Sequence, residues 1–316
     1  MPLESLRKEQ LTNGIIQKAK DLGFIDCGIS KAEHLPEDEK FMEQWLLDGN
    51  HGEMSYLEKN KNKRYDPRLL VENAASVISV LYNYFPENDL ESADNYKISK
   101  YAYGKDYHYV IKEKLKLLDA FIKNKSDNHN SRRFVDSAPV LDRAWAKKSG
   151  LGFIGKNTML INRKAGSFFF IGHIITELKL HYKDIPSSKN YCGNCTLCID
   201  TCPTNAIKDG FVDARSCLSY LTIEYRGEID KSIKQQADNW IFGCDICQDV
   251  CPWNRFSLPH KEPLFVPDEN LKKMEKSDWE SLDKSQFNLL FKGSAVQRTR
   301  FSGLKRNITF FKEDQT

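Results

Sequence analysis

The sequence lacks long apolar segments and any large excess of charge. Over 316 residues the mean hydropathy is −0.57 and the formal net charge is +3. No apolar run approaches the length that crosses a bilayer, and residues 1–10 are polar and charged, unlike a signal peptide. We therefore expect a cytoplasmic protein without membrane contact. The overall charge points to no particular class of partner.

Cysteine is nearly absent outside one stretch of the chain. Of nine cysteines, only Cys27 lies outside residues 192–251, and its apolar neighbours predict a small buried side chain. The others have the close spacing of metal ligands, which argues against a disulfide-stabilised secreted protein.

The clustered cysteines follow the spacing of bacterial ferredoxins. The run C-x2-C-x2-C-x3-C-P ends at Pro203, and a second C-x2-C-x3-C-P ends at Pro252. In ferredoxins the last cysteine of each run binds the other [4Fe–4S] cluster, which predicts two sets of ligands: Cys192, Cys195, Cys198 and Cys251; and Cys202, Cys217, Cys244 and Cys247. Two structural zinc sites are the alternative, but the crossed C-x3-C-P endings favour iron–sulfur clusters.

Upstream of the cysteines, helical and strand patterns alternate. Helices are predicted near residues 11–22, 41–47, 106–123 and 137–150; strands near 24–29, 75–85, 159–162 and 167–178, the last two compatible with a hairpin; and a surface loop over 124–133. These patterns predict an α+β fold with three parts: a layered domain over residues 1–185, a two-cluster ferredoxin-like domain over 186–260, and a short helical, basic tail over 261–316.

Two stretches partly match known cofactor-binding motifs, but the residues around each of them argue against the match. Gly150, Gly152 and Gly155 match G-x-G-x-x-G, but a predicted helix precedes them and a strand follows, the reverse of a nucleotide site. Asp106 and His108 begin the D-x-H-x-x-G signature by which some cobalamin enzymes offer a histidine to cobalt. The glycine of that signature is missing, so we expect no histidine ligand.

Asp136 and the basic tail are the candidates for chemistry outside the clusters. Asp136 lies where a strand meets a predicted helix, so it can act either as a general acid or as a helix N-cap, and the local sequence favours the cap. Residues 292–312 contain no acidic residue and mix phenylalanine with basic residues, among them Arg298, Arg300, Lys305 and Arg306. This composition is typical of a solvated face or of nucleic-acid contacts.

Seven motifs together resemble the epoxyqueuosine reductase family. They are ISKYAYGKDYH at 98–108, FVDSAPVL at 134–141, GLGFIGKN at 150–157, AGSFFF at 165–170, CLSYLTIE at 217–224, GCDICQ at 243–248 and CPWN at 251–254. The resemblance extends from near the N-terminus to about Asn307. It implies a nitroreductase-like cobalamin domain joined to the two-cluster module. It also implies reduction of the epoxide of epoxyqueuosine at the wobble position of tRNA to queuosine, with Asp136 as proton donor.

The same resemblance implies sites and partners. Cobalamin contacts are expected from Arg64, Tyr107, Asp136, Asn157, Ser219, Cys244 and Asp245; tRNA contacts from Arg226, Arg298, Arg300, Lys305 and Arg306. A flavodoxin- or ferredoxin-type electron donor and a monomeric state are also expected. Longer family members continue beyond Asn307 into HEAT-like helical repeats, whereas this chain ends at Thr316, so any tRNA contact that those repeats provide is expected to be missing or made otherwise.

Two other interpretations remain. A reductive dehalogenase-like cobalamin enzyme would use similar parts on a small halogenated substrate, but the basic tail and the lack of an export signal disfavour it. A ferredoxin-type electron-transfer module would leave the first 185 residues without a task.

Overall fold

The computed structural model describes residues 3–90, 94–126, 129–183, 191–208 and 210–312. The helices of this part are α1 (Leu3–Asp21), α2 (Pro36–Leu47), α3 (Lys61–Tyr65), α4 (Tyr107–Lys125), α5 (Asp142–Lys148), α6 (Leu197–Asp200), α7 (Leu218–Ile223), α8 (Ile246–Asp249), α9 (Glu269–Lys272), α10 (Lys276–Ser281), α11 (Lys284–Leu290) and α12 (Arg300–Phe311). The strands are β1 (Asp26–Lys31), β2 (Ser76–Asn83), β3 (Lys97–Ile98), β4 (Ser131–Phe134), β5 (Phe153–Ile154), β6 (Leu160–Ile161), β7 (Phe169–Thr176), β8 (Ile207–Lys208), β9 (Phe211–Val212) and β10 (Trp240–Phe242). The predicted boundary between residues 185 and 186 lies outside the described residues.

A four-stranded antiparallel sheet, ordered β1-β2-β7-β4, forms the centre of the N-terminal part. Successive side chains of a strand point to opposite faces, and in the inner strand β2 both sets are apolar. Ile78 and Val80 pack into one hydrophobic cluster, whereas Val77 and Leu81 pack on the other face. Both faces of the sheet therefore require a covering layer.

Helices supply both layers. α4 begins after Asp106, whose carboxylate accepts a hydrogen bond of 2.9 Å from the backbone N–H of His108. Its buried residues Ile111 and Leu115 join α1 on one face of the sheet, while Trp145 of α5 covers the opposite face. The prediction of a layered fold that mixes helices and strands is confirmed.

The cysteine-rich part and the tail share one hydrophobic core. β10 pairs in parallel with β3, which lies far earlier in the chain. Trp240 and Phe242 pack with Leu304 and Ile308 of α12 in a single buried cluster. The three-part division of the sequence stays a prediction, but the predicted boundary between residues 260 and 261 does not separate two cores.

Several predicted elements need correction. The helix expected from Ser137 begins only at Asp142, because residues 136–141 form tight turns in which the N–H of Val140 donates to the carbonyl of Ala138 at 2.8 Å. The loop expected over residues 124–133 contains the first part of β4. The turn at residues 163–166 forms, with Asn162 bridged to Gly166, but β6 pairs with β5 and not with β7.

Two further expectations from the sequence concern membrane-spanning segments and the environment of Cys27. None of the helices in the described part of the chain combines the length and apolar character that crossing a membrane requires. Cys27 is buried in the sheet cluster, and burial raises the pKa of its thiol to about 12. The prediction that Cys27 is a small buried side chain is confirmed.

Candidate active site

The eight clustered cysteines form two groups in space. Burial is the main cause that raises the pKa of Cys198, and the nearby thiols of Cys192, Cys251 and Cys195 raise it further. In the other group, Cys244 interacts with Cys217 and Cys202, and Cys247 interacts with Cys244 and Cys217. These are the two sets predicted from ferredoxin spacing. Cys247 also interacts with Cys198, so the two sets are neighbours.

In the ranges that the structure describes, no three histidine, cysteine or acidic side chains converge closely enough to hold one metal ion.

The thiols of the second set are half-buried. Burial is the main cause that raises the pKa of Cys217, Cys244 and Cys247. The predicted cobalamin contacts Asn157 and Asp245 lie beside this set: the Asn157 side-chain amide donates to the Cys247 carbonyl at 3.1 Å, and Asp245 accepts from the Lys100 backbone N–H at 2.7 Å. Both side chains thus hold the cysteine loop in place.

Charged side chains and serines complete the surroundings of this set. Burial raises the pKa of Asp245 to about 7, against the opposing charge of Lys100. The ammonium of Lys100 is buried and pairs with Asp249 at 2.9 Å. Gly243 has φ +72°, and a Cβ there would lie 2.0 Å from the Ser99 hydroxyl, so only glycine fits at this point. Ser219 is half-buried in α7, two residues after Cys217.

Asp136 lies on the loop between β4 and α5 with a left-handed backbone, φ +51°. The Tyr107 hydroxyl donates a hydrogen bond to its carboxylate, and His108 Nε2 lies 3.9 Å away. The Asp136 side chain remains 64% exposed. Since α5 begins at Asp142 with Leu141 as its N-cap, the cap interpretation of Asp136 is wrong.

Tyr107 and His108 are fixed by their own neighbours. The Tyr107 ring stacks on Phe170 at a centroid distance of 4.1 Å and on His108 at 4.2 Å. Burial, followed by the nearby Asp136, raises the pKa of Tyr107 far above its usual range, so it stays a donor. His108 Nδ1 lies 2.6 Å from Asp106, which fixes the orientation of the imidazole. The place of His108 beside Asp136 is one that no sequence motif indicated.

Three arginines from separate parts of the chain face Asp136. Arg64, Arg143 and Arg298 each interact electrostatically with its carboxylate. Arg64 donates to the Tyr56 carbonyl at 3.1 Å, while its Nε is buried with no partner among the described residues. Burial lowers the pKa of Arg143, part of whose side chain reaches solvent and whose guanidinium donates to the carbonyl and the hydroxyl of Thr158. We call the surroundings of Asp136, with these three arginines, the Asp136 cleft. No sequence motif marked Arg143 or Tyr56.

Buried aromatic rings join the Asp136 cleft to the second thiol set. The Tyr101 ring packs 6.2 Å from Tyr107 and 6.1 Å from Phe242. Burial is the main cause that raises the pKa of Tyr101, and the charges of Asp245 and Asp136 raise it further. Asp136 and the cysteine loop of the second set are therefore within electrostatic range of the same side chain.

The basic tail is less available to a ligand than its sequence suggested. Lys305 donates to the carbonyls of Glu280 and Leu282, at 2.6 and 3.2 Å. Arg306 donates to the carbonyls of Tyr225, Gly227 and Leu221, at 2.6 to 2.9 Å. These cations satisfy carbonyl groups inside the protein, a role that a list of charges cannot reveal.

Arg226, Arg298 and Arg300 are more exposed than these two. Arg226 nevertheless donates to the carbonyls of Ile223 and Arg298, at 2.9 and 3.0 Å. Arg298 forms two bonds of 2.9 Å with Glu224, and its guanidinium lies 5.7 Å from the Tyr56 ring centre. Arg300 is exposed, with φ +64° at the start of α12.

Comparison with known proteins gives consistent matches along the chain. Residues 191–254 match the family described as "4Fe-4S double cluster binding domain", and residues 64–137 match "Epoxyqueuosine reductase QueG, DUF1730". The epoxyqueuosine reductase of Leadbetterella byssophila is 55% identical over 93% of this chain and 96% of its own length. That of Cellulophaga algicola is 53% identical over 96% and 99%.

Solved structures match over nearly the whole chain. An epoxyqueuosine reductase bound to an epoxyqueuosine-modified tRNA-Tyr stem loop is 29% identical, with a TM-score of 0.85 over 96% of this chain and 80% of that one. The Bacillus subtilis enzyme, with its catalytic aspartate loop swung out of the active site, is 28% identical, with a TM-score of 0.85 over 96% and 81%. A reductive dehalogenase, 16% identical with a TM-score of 0.52 over 95% of this chain and 38% of that one, shares the fold alone. The identity and coverage of the curated relatives show that this chain belongs to the epoxyqueuosine reductase family.

Proposed function

We propose that the protein reduces the epoxide of epoxyqueuosine, at the wobble position of tRNA, to queuosine. One observation carries the proposal: Asp136, held by the Tyr107 hydroxyl, interacts with three arginines, and Tyr101 interacts both with Asp136 and with Asp245 beside the second set of cysteines. The names of the relatives, and the tRNA stem loop bound by one of them, support the same substrate. A tRNA substrate implies a cytoplasmic enzyme.

Two [4Fe–4S] clusters and cobalamin are the cofactors of this proposal. One cluster uses Cys192, Cys195, Cys198 and Cys251, and the other uses Cys202, Cys217, Cys244 and Cys247. When bound, the clusters relay electrons and cobalamin supplies the low-valent cobalt that reduces the epoxide. The layered domain that holds cobalamin is then nitroreductase-like, as the family resemblance implies.

The cleft has groups that fit a large polar cofactor. The buried, unpartnered Nε of Arg64 is a donor that a bound carboxamide or phosphate would satisfy. Arg143 offers further donors, Tyr107 donates to Asp136, and Ser219 follows Cys217 in α7. Asn157 and Asp245 would contribute indirectly, by fixing the loop that carries Cys244 and Cys247.

Asp136 is the proton donor of the proposed reaction. Reduction of an epoxide to an alkene takes two electrons and two protons and releases water. The epoxide oxygen would otherwise leave as an alkoxide, a poor leaving group at neutral pH, so an acid must protonate it as the ring opens. Tyr107 orients the carboxyl of Asp136, and Arg64, Arg143 and Arg298 stabilise negative charge that develops on the oxygen.

The loop that carries Asp136 is suited to movement. Its side chain is largely exposed, and its backbone is left-handed, a conformation that aspartate tolerates better than most residues. The swung-out catalytic aspartate loop of the Bacillus subtilis relative supports such a movement. Closure of this loop over bound substrate would bring the acid to the epoxide.

Among the basic residues, Arg298 and Arg300 are the proposed tRNA contacts. Arg298 lies near Asp136 and beside the exposed ring of Tyr56, which suits an unstacked base next to a phosphate. Replacing both arginines with glutamine should weaken tRNA binding and reduce the logarithmic salt slope by roughly 0.7–0.9 per lost phosphate contact. Lys305→Gln should leave the slope unchanged, because its ammonium binds two carbonyls of the protein. If the salt slope stayed unchanged when Arg298 and Arg300 were replaced, the assignment of these arginines as tRNA contacts would be refuted.

The direct test is anaerobic turnover. Protein with reconstituted clusters and added cobalamin, supplied with a strong reductant, should convert epoxyqueuosine to queuosine in tRNA, as measured by nucleoside mass spectrometry. Omission of cobalamin should abolish the conversion while leaving the iron content unchanged. Full conversion without cobalamin would refute the cofactor assignment, and no conversion with fully loaded protein would refute the substrate.

A further inference from the structure

A chain of aromatic rings surrounds the first set of thiols at the protein surface. Tyr191 precedes Cys192, and Trp253 follows Cys251 and Pro252. The Tyr191 ring lies 6.4 Å from Trp253, which in turn lies 6.1 Å from Phe256. Tyr191, Phe256 and the neighbouring Leu258 are exposed. Apolar and aromatic groups therefore reach solvent directly beside Cys192 and Cys251.

Cations frame these rings. The guanidinium of Arg163 lies 4.6 Å from the centre of the Tyr191 ring, and that of Arg255 lies 4.6 Å from the centre of Phe256. Lys156 donates to the Gly193 carbonyl, at 3.0 Å, within the first cysteine loop. The turn that carries Arg163 and the exposed Lys164 is held against this region, because Ser257 donates to the Ala165 carbonyl at 3.1 Å. We call these rings and cations, with Leu258, the first-cluster face.

The cations of the first-cluster face differ from other arginines in the described part of the chain. Elsewhere arginines pair with carboxylates, as Arg68 does with Asp66 and Arg215 with Asp213. Within the described ranges, no carboxylate forms an ion pair with Lys156, Arg163, Lys164 or Arg255. Asp200, on the helix after Cys195, accepts instead from the Thr196 hydroxyl at 2.6 Å.

This combination resembles the anatomy of a protein interface. Interface centres are enriched in tyrosine, tryptophan, phenylalanine and arginine, and charge complementarity sets the association rate. A positively charged rim selects a negatively charged partner. The position beside the first thiol set adds a functional requirement, since electron transfer between proteins needs a short path from one redox group to the next.

We propose that the first-cluster face docks a small acidic one-electron carrier protein, which reduces the cluster held by Cys192, Cys195, Cys198 and Cys251. This inference rests on the presence of that cluster in the proposed function. In each encounter the carrier is oxidised by one electron and the cluster is reduced by one. Two encounters supply the two electrons that one epoxide consumes.

A tRNA is also acidic, but it fits this face less well. The wobble nucleotide must reach Asp136, and the Asp136 cleft adjoins the second thiol set through Tyr101 and Asp245. Cys198 of the first set interacts electrostatically with Cys247 of the second set. The first set therefore lies one step further from Asp136 than the second set does. The two ends of the electron path therefore suit different partners, the carrier at the first set and tRNA at the cleft.

The test uses reduced plant-type ferredoxin, a small acidic protein, as the probe. The triple variant Arg163→Gln, Lys164→Gln, Arg255→Gln keeps Lys156, which supports the cysteine loop. Stopped-flow measurement of cluster reduction at low salt should give a second-order rate constant at least about tenfold below the parent, with a flatter salt dependence, because electrostatic steering contributes roughly 10- to 1,000-fold. Arg255→Lys, which keeps the charge, should stay within about twofold of the parent.

A matched control removes three cations elsewhere. Lys40, Arg133 and Lys284 are exposed and lie in α2, β4 and α11. Their replacement by glutamine lowers the net charge equally and should leave the rate constant within about twofold of the parent. An equal loss of rate in this control would mean that only overall charge matters, and would overturn the proposal.

Further measurements separate this proposal from the proposed function. Iron content and reduction by dithionite should match the parent in the triple variant, which shows that the cluster itself is intact. If the triple variant loses tRNA affinity but accepts ferredoxin electrons at the parental rate, the face belongs to tRNA and the proposal is wrong. If ferredoxin reduction depends on the face as expected, but fully loaded parent fails to convert epoxyqueuosine, the docking proposal stands and the substrate assignment fails.

Discussion

Replacement of Asp136 by asparagine separates the chemistry of this residue from its structural role. Asparagine tolerates the left-handed backbone at φ +51° about as well as aspartate does, whereas alanine would add strain. Its side-chain oxygen can still accept the hydrogen bond from Tyr107. What the amide cannot do is deliver a proton at a useful pH.

The two expected magnitudes lie far apart. A hydrogen bond to a charged group exceeds one to a neutral group by about 1 kcal/mol, and the 64% exposure of the Asp136 side chain reduces that difference through solvent screening. We therefore expect the free energy of unfolding to change by less than about 1 kcal/mol. Loss of a positioned acid lowers a rate roughly 10²- to 10⁴-fold, or about 3–5 kcal/mol of activation free energy.

Single-turnover assays with pre-reduced enzyme measure the chemical step without interference from slow electron delivery. Asp238→Asn is a matched control, because Asp238 also has a left-handed backbone, is exposed, and contacts a cation, Lys97 at 2.6 Å. We expect parental turnover from this control and a drop of about a hundredfold or more from Asp136→Asn. The proton-donor assignment would be refuted if the rate of Asp136→Asn lay within about threefold of the control rate.

Three further changes test other parts of the site and the core. Tyr107→Phe removes the donor to Asp136 and should lower the single-turnover rate by roughly tenfold or less; a loss beyond about a hundredfold would make the tyrosine itself the acid. Anaerobic protein should contain about eight iron atoms per chain; Cys27→Ser should leave that number unchanged, Cys202→Ser should lower it, and zinc in place of iron would refute the cluster assignment. Asn307→Leu should lower the free energy of unfolding by about 1–3 kcal/mol in chemical denaturation, because the buried Ile241 carbonyl loses its donor at 2.7 Å, whereas the Thr222 carbonyl keeps its bond from the Thr299 hydroxyl at 3.0 Å; a parental value would show that the Ile241 carbonyl finds another donor.

Features with a strict local spacing could be read from the sequence. The crossed grouping of the cysteines follows from two C-x3-C-P runs, and the same groups interact in the folded protein. α4 was predicted to within two residues because its apolar residues repeat every three or four positions and Asp106 is a good N-cap. Rejection of the glycine motif also agrees with the fold, since α5 precedes it, β5 lies within it and β6 follows it.

Features that depend on distant parts of the chain could not be read in this way. Local sequence favoured Asp136 as a helix cap, because Ser137 and Pro139 are typical of a helix start and nothing nearby reports the turns that delay α5. The charge of Arg306 predicted a surface contact, yet its partners are carbonyls far away in the sequence. Arg143 and Tyr56 carry no motif, and only the folded chain brings them to the cleft.

The core shared by β3, β10 and α12 has a consequence for how the protein is made. Its strands and helix come from early, middle and late portions of the chain, so this core cannot close until nearly the whole polypeptide has left the ribosome. Contacts between distant segments also fold slowly, because loop closure must precede them. The cysteine loop that follows β10 therefore stays accessible during synthesis. We expect iron–sulfur assembly factors to act on the nascent or partly folded chain, before α12 completes the core.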